Sequence, residues 1–198
     1  MNTFFWTCDM PRSRLLLFII IMIFVTLPLS EGWSEEGVFI RDGRFSIELK
    51  ALSLDAVDAF FLARGFDATA AKLISENGCV HKFAAAYDGD IKEKAVAVDL
   101  TTWRVRSAGG PWKQLAFKET WAQFMDKLEV SKPAQIAFHW AIFPTHQTFH
   151  QGDRMWGMVP MDFMPGTIFD LQAVWLVGEK SSETILTNLQ CASPRTGS

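Results

Sequence analysis

The chain has 198 residues, 13% of them aromatic, with 17 Phe and 8 Trp against a single Tyr, and a formal net charge of −3. Nucleic-acid phosphates demand clustered Lys and Arg, and no such cluster is present, so nucleic acid is excluded as a partner. The aromatic content excludes a disordered chain and points to a packed interior.

Residues 15–27 read LLLFIIIMIFVTL, with Arg12 and Arg14 just before them. That fits the apolar core of a secretory signal, about 7–15 residues after a basic start. It falls short of the roughly 20 apolar residues that cross a bilayer. Ser30 and Gly32 suit a signal-peptidase site with cleavage before Trp33. Carried through Pro28 and Leu29, the run leaves a second reading open, an uncleaved anchor held in the membrane by residues 15–29. The expected organisation is a signal peptide or anchor helix over 1–32 and one exported, β-rich globular domain over 33–198. Its expected location is the periplasm, free or held at the inner membrane.

Once the leader is removed, Cys79 and Cys191 are the remaining cysteines. In an oxidising compartment such a pair forms a disulfide. No Cys-x-x-Cys motif suggests redox catalysis.

The domain opens with a hairpin. Val38-Phe39-Ile40 and Phe45–Leu49 flank Arg41-Asp42-Gly43-Arg44, and Phe45, Ile47 and Leu49 alternate with polar residues. Ser53 caps a helix with an apolar stripe of Leu54, Val57, Phe60 and Phe61, and Gly65 ends it. Asp67 caps a second helix that stops at Asn77-Gly78. Together they form a lid over a sheet. Cys79–Ala86 and Ala95–Leu100 read as two paired strands, with Thr101–Ser107 continuing as a third. Phe117, Trp121, Phe124 and Leu128 are spaced for an amphipathic helix that Lys132-Pro133 stops. Ile136, Phe138, Trp140 and Ile142 then alternate as a strand, with His139 on its other face. Phe169, Leu171, Ala173, Trp175 and Val177 line one face of a further strand. A turn leads back into Glu183–Cys191, where Ile185, Leu189 and Cys191 share a face. The pattern is mainly β with inserted helices, an α+β chain arranged as an antiparallel β-sandwich-like domain.

Between Phe143 and Gly166 lie His146 and His150, then Met155, Met158, Met161 and Met164 at spacings of three. Thioether and imidazole are ligands that copper favours, so His146, His150, Met155 and Met158 are the candidate Cu(I) ligands, and copper is the one cofactor the composition suggests. Against this, residues three apart on a strand point to opposite faces. The same segment offers Trp156, Met161, Phe163 and Met164 as an apolar surface for a protein partner or small ligand. No Gly-x-Ser-x-Gly elbow, His-Glu-x-x-His pair or phosphate loop is present, which leaves only a dispersed site for a hydrolase or isomerase. The expected function is a non-catalytic envelope domain, a binding or accessory and assembly factor. A periplasmic Cu(I)-binding protein is the alternative, and an enzyme the third reading.

Overall fold

A computed structural model of the chain describes residues 37–90, 93–127 and 129–195. The leader expected over 1–32, and Leu128 of the expected helical stripe, lie outside the described residues. Strands β1 (Val38–Asp42) and β2 (Phe45–Ala51) pair around Gly43-Arg44, with Gly43 at φ 58°, a conformation open to a residue without Cβ. Helix α1 (Leu54–Leu62) begins at Ser53, whose hydroxyl accepts from the Ala56 amide at 3.2 Å. Helix α2 (Ala68–Asn77) begins at Asp67, whose carboxylate accepts from the Ala70 amide at 2.8 Å. Strand β3 (Cys79–Tyr87) follows. Next come β4 (Val96–Asp99), a single 3-10 turn, β5 (Arg104–Ser107) and β6 (Lys113–Gln114). Helices α3 (Lys118–Lys127) and α4 (Lys132–Ala141) precede β7 (His146–Phe149), β8 (Arg154–Met161), β9 (Ile168–Val177) and β10 (Lys180–Gln190).

The strands form two antiparallel sheets. One has the order β1-β2-β3-β8. In the other, β10 lies along one edge of β9, β4 and β5 share its other edge, and β7 and β6 extend them. The inner faces meet in an aromatic core, where Phe45, Ile47 and Phe83 of the first sheet pack with Trp103, Phe149, Phe169 and Leu171 of the second. All four helices contribute to a second core on the outer face of the first sheet, closing over Val80 and Met158. The described domain is therefore a mixed α+β, sandwich-like fold. Among the described residues, no helix is long and apolar enough to cross a membrane.

Cys79, at the start of β3, is disulfide-bonded to Cys191, just past β10, with Cα atoms 5.2 Å apart. The bond ties the two sheets together. Closing a loop of 112 residues in this way contributes on the order of 4–5 kcal/mol through the entropy of the unfolded chain.

Three local expectations are corrected. β3 and β4 do not pair, because both edges of β3 are taken by β2 and β8, and β4 lies in the opposite sheet. Residues 132–141 are a helix, not a strand. Pro133 sits in its first turn, where the missing N–H costs nothing, and Ala134, Phe138 and Ala141 recur at helical spacing on the buried face. Ile185 faces water while Leu189 is buried, because an irregularity between Leu186 and Leu189, with Asn188 at φ 58°, shifts the alternation of β10.

Candidate functional site

Helix α4 buries Ala134, Phe138 and Ala141 and turns Ile136 and Trp140, four residues apart, toward solvent. Ile136 is 60% exposed and Trp140 87%. Desolvating such residues is favourable, so leaving them in water opposes the hydrophobic effect unless something covers them.

The end of α4 is pressed onto β8. The Phe143 amide donates to the Met158 carbonyl at 2.9 Å, and Ile142 and Met158 form a parallel bridge. Gly157 permits this approach, since a Cβ there would lie 2.5 Å from the Phe143 nitrogen. The junction brings α4 beside Trp156, which is 57% exposed on the outer face of β8.

The result is a groove of about 610 Å³ between α3, α4 and β8. Its floor is apolar, with Ala122, Met125, Ile142, Pro144 and Met155. Its rim carries Trp140, Trp156, Ile136, His139, Gln135, Lys118 and Lys132, and among the described residues no carboxylate lines it. The α3–α4 corner is fixed by Asp126, which accepts from Lys132 at 3.2 Å and from Gln135 at 3.1 Å. Those hydrogen bonds hold the Asp126 carboxyl below its ordinary range.

The buried tryptophans behave differently. Trp103 donates its indole N–H to the Val174 carbonyl at 2.7 Å, Trp121 to Pro160 at 3.1 Å and Trp175 to Asp42 at 2.8 Å. Among the described residues, Trp140 and Trp156 have no such indole partner within the chain. Trp156 also borders a second hollow on the sheet face, in a cross-strand row that runs Phe39, Glu48, Ala84, Trp156.

The candidate copper ligands are not brought together. Met155 packs against the sandwich core, while Met158 is buried under the helices on the other face of β8. His146, on β7, lies 3.1 Å from Asp99, its partner on β4 of the same sheet, and His150 is exposed beyond β7. Among the described residues, no group of three or more His, Cys, Asp or Glu is placed to hold a metal. Of the candidate contact residues, Trp156 and Met164 face water, Met161 is fully buried in the sandwich, and Phe163 packs on Phe169 with ring centroids 5.2 Å apart.

The His146–Asp99 pair is the one place where a histidine side chain meets an acid among the described residues. Burial alone raises the Asp99 carboxyl. Hydrogen bonds from the Thr101 hydroxyl and amide, with His146 beside it, outweigh that and hold it below its usual range. Thr101 stands at 2.6 Å and 2.9 Å from the Asp99 oxygen that His146 approaches, so this carboxylate caps a turn as well.

The groove residues Trp140, Ile136 and His139 were hidden by reading 136–142 as a strand. The signal that reveals them is Ser131-Lys132-Pro133, a helix start rather than a stop. No protein-family model, curated protein or solved structure matches the chain.

Proposed function

We propose that the chain is an exported, non-catalytic binding domain of the cell envelope, acting as an accessory or assembly factor through the groove between α4 and β8. The observation that carries this reading is the exposure of Trp140 and Trp156 on one apolar-floored groove. Contiguous exposed apolar surface of this kind is a mark of binding faces. The leader-like run at 15–27 and the Cys79–Cys191 bond support an oxidising, extracytoplasmic location. Among the described residues, His139 and His150 make no side-chain hydrogen bond, and His146 pairs with a turn-capping carboxylate.

A photo-crosslinking amino acid placed at 140, 156 and 185 in the producing cells tests this reading. Ile185 is an exposed residue on β10, outside the groove. Adducts at 140 and 156 but not at 185 are expected. No adduct at either groove position, or equal adducts at all three, overturns it.

A further inference from the structure

We infer that the occupant of the α4–β8 groove is an anionic lipid bilayer surface, a step that rests on the envelope-binding reading above. Three observations converge on it. Indole rings favour the boundary between lipid headgroups and acyl chains, and Trp140 and Trp156 stand exposed on neighbouring elements. Ile136, four residues from Trp140, gives α4 an apolar edge that a bilayer covers and water does not.

Charge supplies the second argument. Among the described residues the groove is lined by Lys118 and Lys132 and by no carboxylate, in a chain whose net charge is −3. Asp126 bonds Lys132 at the outer corner, so Lys118 is the less compensated of the two. Each basic residue near an anionic membrane surface is worth roughly a fivefold change in binding. An apolar floor with a cationic, indole-bearing rim suits headgroup phosphates above acyl chains. It suits a neutral or cationic partner poorly.

The third argument is the length of chain before the domain. Seven residues separate Leu29, the end of the apolar run, from Gly37, where the described fold begins. Fully extended they span at most about 25 Å. With residues 15–29 retained in a bilayer, the domain is held near the lipid surface. With the leader cleaved, the groove makes the contact alone.

The purified protein, as isolated from cells, is mixed with vesicles of phosphatidylcholine and phosphatidylglycerol carrying brominated acyl chains. Bromine quenches indoles only at short range. The native protein is compared with Trp140→Phe/Trp156→Phe, so that the difference reports those two rings against the background of the others. The expected result is a quenched component lost in the double variant. Vesicles of phosphatidylcholine alone weaken it, as does Lys118→Gln, by roughly fivefold in apparent affinity. Equal quenching of the native protein and the double variant overturns the proposal. The cross-linking experiment separates the two failures. Protein adducts at 140 without lipid adducts keep the binding reading and overturn the bilayer, whereas the absence of any adduct overturns both.

Discussion

His81 Nδ1 lies 3.6 Å from the sulfur of Cys79, inside the sandwich and edge-on to the Phe169 ring. Desolvation lowers its pKa from 6.5 to about 4. The unfolded chain therefore binds a proton on His81 before the folded protein does. Stability is full above pH 6.5, falls as the pH drops toward 4, and loses nothing further from this group below that. The expected loss across this window is about 3 kcal/mol. Urea unfolding at several pH values measures it, and His81→Leu should flatten the curve between pH 6.5 and 4.

Cys79 and Cys191 are both buried, at the end of the sandwich where the two sheets are joined. Cys191→Ser frees the loop and is expected to cost about 2–5 kcal/mol. Denaturant midpoints of the variant and of the oxidised native protein check this. An equal midpoint means that the bond contributes nothing to stability.

Gly157 faces the Phe143 backbone, and an added methyl there must displace main chain rather than a flexible side-chain end. Gly157→Ala is expected to cost about 1–3 kcal/mol, the range for overpacking. It should also shift α4 away from β8. Hydrogen exchange reads the second effect, because the Phe143 amide, now bonded to the Met158 carbonyl, loses protection before amides of the sandwich core.

Arg195 reaches back from the C-terminal segment to Asp55 and Asp58 of α1 and Glu76 of α2. One guanidinium thus serves three carboxylates, and among the described residues Asp58 keeps one buried oxygen without a partner. Arg195→Ala is expected to speed amide exchange in α1 and α2 while leaving β9 and β10 unchanged. Uniform exchange across the domain contradicts this local role.

Much of the fold was legible because local chemistry agreed with tertiary structure. Ser53 and Asp67 cap their helices, Gly43 turns the first hairpin, and the alternation of Phe169 to Trp175 marks an inward face. The cysteine pair was legible too, since two thiols after residue 33 leave few arrangements. The two hairpins at the ends of the domain were legible as well, but the partners of β3 and β4 were not. The run after Tyr87 resembles a hairpin by spacing, but the chain crosses to the other sheet there, and edge occupancy is set by β8, some 70 residues later. The groove was lost for a sharper reason. Ile136, Phe138, Trp140 and Ile142 satisfy a period of two, while Ala134, Phe138 and Ala141 satisfy the helical period, and only packing decides between them. The strand reading buried Trp140; the helix exposes it.

Hydroxyl-radical oxidation of Trp140 and Trp156 in purified protein and in intact producing cells, read by mass spectrometry, bears most directly on the groove. Both indoles should oxidise readily in isolation and be strongly protected in cells, with exposed Ile185 equally reactive in the two settings. Unchanged oxidation of both tryptophans in cells would mean that nothing covers the groove where the protein works, and the binding role would fall.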